Sequence, residues 1–369
     1  MGKYIYEQTG WPSFQWDEAL ISTRLAAIRH RQGRLVGKME ALGFTLRQEA
    51  ILSAITEDVL KSSEIEGELL DREQVRSSVA RHLGMDIGGL AASDLNVEGV
   101  VEMMIDATQN FDLPLTEKRL RGWHAALFPT GHSGMKTITV GGWRDDSAEP
   151  MQVVSGPIGK ERIHFVAPPA GTVGQEMGQF LKWLNSDPAI DHVTKAGIAH
   201  LWFVTIHPFD DGNGRIARAI TDMELARSEN SSQRFYSMSS QIRAERKDYY
   251  QMLETSQKGG LDISEWLMWF LACLERAFDG SEEILAIVIA KARFWETYSN
   301  QTFNDRQRKI LNRVLDGFEG KLTSSKWAKL GKCSQDTASR DIADLISRGV
   351  LIKNPGGGRS TSYSLVGTD

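Results

Sequence analysis

The chain has 369 residues, a length that suggests two or three domains, and its composition, 41% hydrophobic and 25% charged, is typical of a globular protein. It contains no apolar run of 18 residues and no apolar signal region after Met1, which argues against a membrane partner and makes the cytoplasm the expected location. The net charge of −5 is unevenly spread, because residues 304–369 hold twelve Lys and Arg against seven Asp and Glu and so form a separate basic tail.

The first part of the chain is predicted to be helical. Residues 4–16 are aromatic-rich and are expected to be extended, after which apolar residues at helical spacing predict a helix from Asp17 to Gly43. A second helix is predicted from about Thr45 and runs into the polar stretch Ser62-Ser63-Glu64-Ile65-Glu66-Gly67. We assign residues 1–93 to this N-terminal helical region, which ends in a glycine-rich loop.

The middle of the chain combines helices with one region of strand character. The β-rich runs Met151-Gln152-Val153-Val154 and Ile163-His164-Phe165-Val166 flank a turn rich in Gly and Pro, which is a hairpin signal. A further strand is predicted at Thr137–Val140. We therefore place a β-hairpin at residues 151–166, among helices predicted over residues 95–111, 116–128, 174–184, 193–206, 263–278 and 283–298.

The densest group of reactive side chains is His207-Pro208-Phe209-Asp210-Asp211-Gly212-Asn213-Gly214-Arg215-Ile216-Ala217-Arg218. Apolar residues at helical spacing precede it, and Pro208 should end that helix and leave the His207 imidazole at its end. A second helix is predicted over residues 215–227. The stretch is therefore a helix-loop-helix elbow with its reactive groups in the loop.

The second half of this loop suits a phosphate group. Gly212 and Gly214 permit backbone dihedrals with φ > 0 and a close approach of a ligand. The unpaired N–H groups at the start of the second helix attract anions. Arg215 and Arg218 lie three residues apart on the first turn of that helix, so both can reach the same polyphosphate.

A metal ion and a base complete this chemistry. A carboxylate such as that of Asp211 would be repelled by phosphate unless a divalent cation lay between them, and Mg²⁺ is usually held by one carboxylate together with phosphate oxygens. His207 is the group in the loop that can accept a proton near pH 7. The residues alone therefore predict a Mg²⁺-dependent polyphosphate site with a general base.

These residues match the motif His-x-Phe-x-(Asp/Glu)-Gly-Asn-Gly-(Arg/Lys)-x-x-Arg at every fixed position, and the chain thus resembles Fic-domain proteins. The resemblance implies a mainly α fold, in which a Fic-type helical bundle over residues 94–279 carries a small β-hairpin flap. It also implies transfer of AMP from ATP to a hydroxyl side chain of a target protein. The implied roles are general base for His207, Mg²⁺ ligand for Asp211, α-phosphate site for Asn213 and the loop amides, and β- and γ-phosphate partners for Arg215 and Arg218.

The end of the second predicted helix resembles the inhibitory motif of the same family. Ser62, Glu66 and Gly67 fill the fixed places of (Ser/Thr)-x-x-x-Glu-(Gly/Asn). The resemblance implies that Glu66 lies against Arg218 and competes with the γ-phosphate for its guanidinium. Transfer would then be slow until the pair opens, and self-modification would rise when Glu66 is removed.

Two further segments resemble parts of the family that bind substrates. The helix predicted over residues 243–257 resembles the segment beside the adenine, with Tyr250 facing the base and Gln257 where an Asn is often found. The hairpin resembles the flap that aligns the modified segment of the target by strand pairing, which assigns target contacts to Met151, Gln152, Val153 and Val154.

The basic tail resembles a winged helix. After a linker helix over residues 280–303, residues 304–369 are predicted to form helices, a turn and two strands around a flexible tip. In a DNA-binding version, major-groove contacts would come from a helix that carries Gln335, Thr337, Ser339 and Arg340, with Arg359 on the wing. Three carboxylates share that helix, namely Asp336, Asp341 and Asp344, and would weaken phosphate contacts. The alternative role is a docking or dimer-forming module.

Three functions fit the sequence. The first is a protein adenylyltransferase, able to modify itself and to reverse its own reaction. The second is a Doc-like phosphotransferase, which the Gly214-Arg215 pair disfavours because those relatives carry a lysine-bearing loop that binds the nucleotide reversed. The third is a DNA-binding regulator whose Fic body senses nucleotide, which an intact His207 disfavours because binding alone requires no base.

Overall fold

The structure is a computed structural model that describes residues 3–85, 91–145, 150–157, 160–186, 190–318, 320–355 and 361–366. Helices make up most of it. Antiparallel strand pairs are small by comparison, so the mainly α fold class predicted from the sequence is confirmed. The chain divides into two units, Met1–Ser281 and Glu282–Asp369. In the part of the chain that the structure describes, no helix is both long enough and apolar enough to cross a membrane.

The first unit begins with a short 3₁₀ turn at Ile5–Glu7 and continues almost entirely in α-helices. Asp17 caps α1 and Thr116 caps α5, so both helices start where the sequence predicts. The helices are α1 (Glu18–Glu40), α2 (Phe44–Ile65), α3 (Arg72–His82), α4 (Leu95–Gln109), α5 (Glu117–Leu127), α6 (Ala170–Leu184), α7 (His192–Ile206), α8 (Asn213–Glu229), α9 (Met238–Ala244), α10 (Arg246–Gln257) and the start of α11 (Ser264–Thr297), whose later turns belong to the second unit.

Two predicted helix boundaries are wrong. The single helix expected over residues 243–257 is broken at Glu245, whose φ of −106° and ψ of 27° leave the helical region between α9 and α10. The break expected after residue 278 is missing, because α11 continues without interruption through Gly280. One glycine in a helix interior costs only about 1 kcal/mol, which the packing of apolar residues on the flanking turns offsets.

The centre of the first unit is the pair α7 and α8. Each residue of α7 from Val193 to Ile206 is buried, which explains why its sequence shows an apolar and small-residue run in place of an amphipathic stripe. His200 joins three helices: its Nδ1–H donates to Thr221 Oγ1 of α8 at 2.9 Å, and its Nε2 accepts from the Tyr249 hydroxyl of α10 at 2.8 Å. The elbow that α7 and α8 enclose is therefore held from both sides.

The strands of the first unit form two small antiparallel ladders. Residues β1 (His132–Ser133) and β2 (Lys136–Thr137) pair with each other, so the strand expected at Thr137–Val140 is reduced to its first residue. Strands β3 (Gln152–Ser155) and β4 (Arg162–Val166) form the predicted hairpin, with Val153 opposite Phe165. Phe165 packs on Tyr4, so the aromatic N-terminal segment supports the hairpin through this contact.

The second unit contains its own buried core around Trp327, Ile342 and Leu345. Its sheet has the order β5-β7-β6 and is antiparallel throughout. The elements are α12 (Asp305–Leu315), β5 (Leu322–Thr323), α13 (Ser324–Leu330), α14 (Gln335–Ser347), β6 (Leu351–Lys353) and β7 (Ser362–Leu365). The helices and the last two strands follow the predicted order, whereas the short strand β5 was not predicted. Arg359 lies outside the described residues. The winged-helix assignment and DNA binding remain predictions.

Two of the three carboxylates on α14 are engaged inside the second unit. Asp341 is 6% exposed and accepts hydrogen bonds from Arg306 Nε at 2.5 Å and Trp327 Nε1 at 3.2 Å. Asp344 lies 2.7 Å from Arg348 Nη2. The acidic character that argues against phosphate contacts on this helix therefore comes from Asp336 and Asp344, which are both exposed.

The packing of α4 on α5 yields a stability prediction at Gly99. A Cβ at this position would lie 1.8 Å from the carbonyl oxygen of Ala126, which is backbone and cannot rotate away. Gly99→Ala should therefore lower the free energy of unfolding by about 3 kcal/mol or more, as measured by urea unfolding. Gly122→Ala, where a Cβ meets nothing within 4 Å, is the matched control and should raise it by about 0.5–1 kcal/mol. Equal effects of the two changes would contradict the close packing.

A second prediction concerns acid stability. Burial, together with the charge of Arg218, lowers the pKa of His200 to about 3, whereas an unfolded histidine titrates near pH 6.5. The unfolded chain binds the extra proton between these values, so stability falls as the pH drops below about 6.5. His200→Gln should lose stability at pH 7 but show a slope smaller by about 1.4 kcal/mol per pH unit between pH 6 and 4.5.

Urea unfolding across this pH range measures that slope. His30→Gln, on an exposed position of α1, is the control. If the slope of His200→Gln equals that of the unsubstituted protein, His200 is not held neutral by the fold.

Candidate active site

The predicted base lies where α7 ends. His207 adopts a left-handed backbone conformation with φ 51° and ψ 59°, and its N–H closes the last helical turn by donating to the Phe203 carbonyl at 3.0 Å. Its ring Nδ1 lies 3.3 Å from the Val204 carbonyl, which can only accept, so Nδ1 carries the proton. Nε2 is therefore the ring atom that can take a proton from a substrate.

The surroundings of His207 favour its neutral form. Burial lowers the pKa of the imidazole to about 4, and the nearby charge of Arg144 acts in the same direction, against the opposing effects of Asp211 and Glu66. At pH 7 the ring is therefore neutral, with Nε2 unprotonated. A general base needs this state before the reaction begins.

The loop after His207 is shaped by its own asparagine. The Asn213 side chain is 2% exposed, accepts from the Phe209 N–H at 3.0 Å and donates to the Phe209 carbonyl at 2.8 Å. Gly212 has a φ of 78°, which a residue with a Cβ rarely adopts. The Asn213 amide is thus committed to holding the loop, and an incoming phosphate would meet main-chain N–H groups at the start of α8.

The main-chain N–H groups at the start of α8 form an anion cradle, and Glu66 lies directly against it. A Cβ on Gly214, which is helical, would be 2.2 Å from Glu66 Oε1. The absence of a side chain at Gly214 therefore leaves the space that the carboxylate fills. Glu66 follows the last residue of α2, and Gly67, with a φ of 88°, turns the chain away from the helix.

The predicted inhibitory residues converge on Arg218, which is 2% exposed. Its Nη2 donates to Glu66 Oε1 at 2.8 Å and to the Ser62 carbonyl at 2.8 Å. Its Nε donates to Ser62 Oγ at 2.9 Å. Residues 152 positions apart in the chain therefore form one charge-assisted cluster, in which the arginine is buried and the Glu66 carboxylate is partly exposed.

A second carboxylate, which the sequence analysis missed, engages the other arginine of the motif. Arg215 Nη1 donates to Glu68 Oε2 at 2.6 Å, and the guanidinium carbon lies 5.0 Å from the centre of the Phe128 ring. Glu68 stands two positions after Glu66, and this repetition of acids after the motif is the signal that could have identified it. Both motif arginines are therefore paired with carboxylates of the segment that follows α2.

The predicted metal ligand lies at the edge of the loop. Asp211 Oδ1 accepts from the Gly212 N–H at 2.6 Å, and Oδ2 accepts from the Ser133 hydroxyl. Among the described residues, no cluster of three or more His, Cys, Asp or Glu could hold a metal by itself. A single loop carboxylate beside an anion cradle fits a Mg²⁺ that takes its other ligands from nucleotide phosphates and water.

The residues predicted beside the adenine lie on α10. Tyr250 is 36% exposed and packs against Tyr249 and Arg246, with ring and cation distances of 5.2 Å and 5.3 Å. Gln257 is buried and its Nε2 lies 3.4 Å from the Val204 carbonyl, so it supports the last turn of α7. Tyr250 is thus available to a ligand, whereas the Gln257 amide is engaged within the protein.

The predicted flap is tied to the same helix. The Glu254 carboxylate of α10 accepts hydrogen bonds from two residues of β4, from His164 Nδ1 at 2.6 Å and from Arg162 Nη2 at 2.9 Å. Burial works to raise the pKa of Glu254, but hydrogen bonds from Lys258, His164 and Arg162 lower it to about 2. The outward side chains of Val154 and Ile163, which pair across the hairpin, are 47% and 45% exposed. Residues 158 and 159 at its tip lie outside the described residues.

Two more residues that sequence reasoning missed brace the loop. The buried His124 ring stacks on Phe209 at 4.2 Å, and its Nδ1 accepts from the Gly141 N–H at 3.0 Å. Arg144 donates from Nε to the His207 carbonyl at 2.7 Å. Nothing local in the sequence marks either residue, because both act through contacts with a segment more than 60 positions away.

Comparisons with known families and proteins agree with this geometry. The model of the Fic/DOC family matches residues 114–225, which contain the elbow, and a domain of unknown function, DUF4172, matches residues 4–85. The protein adenylyltransferase Fic of Drosophila yakuba is 32% identical over 116 residues, and that of Aedes aegypti 34% identical over 116 residues. Each alignment covers 31% of this chain and only 22% of the relative.

Solved structures extend the similarity beyond these segments. A Fic family protein from Desulfovibrio desulfuricans G20 superposes with a TM-score of 0.53 at 19% identity and covers 96% of this chain and 98% of its own. A Fic domain containing signaling protein from Bacteroides thetaiotaomicron VPI-5482 gives a TM-score of 0.51 at 20% identity, over 70% and 96% of the two chains. At these identities the likeness concerns the fold alone. Residues 114–225 thus match the Fic/DOC family in motif and family model, and the chain is similar in fold to solved structures of Fic proteins.

Proposed function

We propose that this protein is an adenylyltransferase that moves AMP from ATP to a hydroxyl side chain of a target protein, and that Glu66 restrains it. The observation that carries the proposal is the convergence of a neutral His207, an anion cradle at the start of α8 and Arg218, with Glu66 2.8 Å from the arginine. The names of the partial-length relatives, protein adenylyltransferase Fic, support the same reaction.

The proposed chemistry follows from the positions of these groups. The target hydroxyl gives its proton to His207 Nε2 while its oxygen attacks the α-phosphorus of ATP. The bond from that phosphorus to the bridging oxygen breaks, and pyrophosphate leaves with the electron pair. The main-chain N–H groups at the start of α8 would bind the α-phosphate and stabilise the negative charge that grows on it. Arg215 and Arg218 would hold the β- and γ-phosphates.

Asp211 would hold Mg²⁺ in this site. When bound, the ion would neutralise charge on the phosphates and orient them for displacement. Asp211 already faces the cradle, and its hydrogen bonds from Gly212 and Ser133 fix the carboxylate plane. The tyrosine on the exposed side of α10, Tyr250, would lie against the base of the nucleotide.

The proposed restraint is a competition for one guanidinium. Arg218 cannot bind a γ-phosphate in the same orientation while Nη2 donates to Glu66. ATP bound with its γ-phosphate displaced would not present its α-phosphorus in line with the incoming hydroxyl, and transfer would be slow. Burial of Arg218 strengthens the competition, because a charge excluded from water requires an anionic partner.

The target is proposed to bind along the flap. The β-hairpin offers an edge for strand pairing, and the exposed Val154 and Ile163 side chains on its outer face provide apolar contacts. Main-chain pairing constrains the backbone of the target more than its side chains. The protein itself is also a substrate under this proposal, whether within one copy or between two.

Labelled ATP tests the proposed reaction. Glu66→Gly removes the competing carboxylate, so it should raise transfer of α-label to the protein itself and to lysate proteins by at least about tenfold over the unsubstituted chain at saturating ATP. In that background, His207→Ala should reduce transfer by about 10²-fold with ATP binding largely intact, and Arg218→Ala should cancel the gain. γ-Label on protein would indicate phosphotransfer, and neither label would indicate a regulator without this activity.

The second carboxylate gives a separate prediction. Glu68→Gln frees Arg215 for phosphate, so in the Glu66→Gly background it should lower the KM for ATP by about twofold to fivefold, the range expected for a partly exposed ion pair. Glu64→Gln is the matched control, because Glu64 pairs with Lys61 and Arg243 and not with the motif arginines. An unchanged KM, or an equal change in the control, would show that Glu68 does not compete for ATP.

A further inference from the structure

The backbone of His207 is held in a costly conformation. Its φ of 51° and ψ of 59° lie in the left-handed region, which residues with a Cβ seldom adopt. Pro208 makes the conformation less favourable still, because the residue before a proline prefers extended dihedrals. Such strain persists at functional sites when surrounding groups enforce it.

Arg144 meets the elbow at this point with several donors. Its Nε donates to the His207 carbonyl at 2.7 Å, and its own backbone N–H donates to the Pro208 carbonyl at 2.9 Å. The residue is 3% exposed. Because the left-handed turn at His207 points its carbonyl away from α7, that oxygen depends on a donor from another part of the chain.

The same guanidinium reaches the foot of the flap. Its Nη2 donates to the Pro168 carbonyl, two residues after the end of β4. Ala167, the residue before Pro168, donates its N–H to the Met151 carbonyl at 2.9 Å and so closes the base of the hairpin. One planar side chain therefore links the main chain of the base to the main chain of the hairpin.

We propose that Arg144 is a positioning residue, which fixes the His207 imidazole in its working orientation and sets its place relative to the flap. The inference rests on the proposed role of His207 as general base. The planar fork of an arginine suits the task, since it can donate to two carbonyls in different directions at once. Loss of Arg144 would let His207 relax toward the extended conformation that its neighbour Pro208 favours, and the ring would move from the cradle.

Kinetics in the Glu66→Gly background distinguish positioning from general support of the fold. Arg144→Gln should lower kcat for transfer by about tenfold or more while the KM for ATP changes by less than about twofold, because the arginine holds the base and not the nucleotide. Arg144→Lys, which retains one charged donor, should recover part of the loss. Arg119→Gln is the matched control, since Arg119 is also largely buried but pairs with Asp106 away from the elbow.

Carbonyl NMR provides a readout that does not depend on activity. His207 is the one histidine followed by a proline in the sequence, so with ¹³C′-histidine and ¹⁵N-proline its carbonyl signal alone is split by nitrogen. This carbonyl accepts the Arg144 hydrogen bond. Arg144→Gln should shift the signal upfield, Arg144→Lys should shift it less, and Arg119→Gln should leave it in place.

The outcomes separate this inference from the proposed function. If the Glu66→Gly parent transfers α-label but Arg144→Gln matches its kcat, or if Arg119→Gln lowers kcat equally, the positioning role is wrong and the proposed function stands. If the parent transfers no label, the proposed function fails, and the carbonyl signal then tests by itself whether Arg144 positions His207. An unmoved His207 signal in Arg144→Gln would then overturn the inference by itself.

Discussion

The structure depends on the burial of the Arg218 guanidinium. A cation that is 2% exposed costs several kcal/mol unless charged and polar partners replace its water. Ser62 and Glu66 provide those partners from the end of α2. The arginine thereby joins α2 to α8, and its Nη2 is engaged by the carboxylate that we propose to compete with a triphosphate. Under the proposal, stability and restraint would both come from one ion pair.

The rest of the site does not rely on that pair. Asn213 clamps the Phe209 main chain, His124 stacks on the Phe209 ring, and Arg144 holds the His207 carbonyl. These contacts lie within the loop or between the loop and the α5 to β3 region, so they persist when Glu66 is removed. Activation would therefore exchange one carboxylate for a phosphate on a preformed cradle, which is how electrostatic preorganisation avoids reorganisation during the reaction.

Several features were predictable because their causes are local. Pro208 ends α7, and Asp17 and Thr116 cap the helices that follow them. Two β-rich runs around a turn rich in Gly and Pro form the hairpin at residues 151–166. Other predictions were wrong because the causes do not lie in the local sequence pattern. Separate helices are predicted over residues 263–278 and 283–298, yet α11 is continuous, because the cost of about 1 kcal/mol for Gly280 is small beside the packing of the turns on either side. Glu245, a good helix former, lies at a break.

The sequence by itself determined the chemistry of the elbow, because a base, a carboxylate, two glycines and two arginines within twelve residues can reach one phosphate group whatever surrounds them. The family resemblance added the partner of Arg218. The tertiary structure alone decided that Glu68 meets Arg215 and that Arg144 meets His207. Buried arginines take whichever acceptors the packing of distant helices and loops brings within reach, and no spacing along the chain encodes that choice.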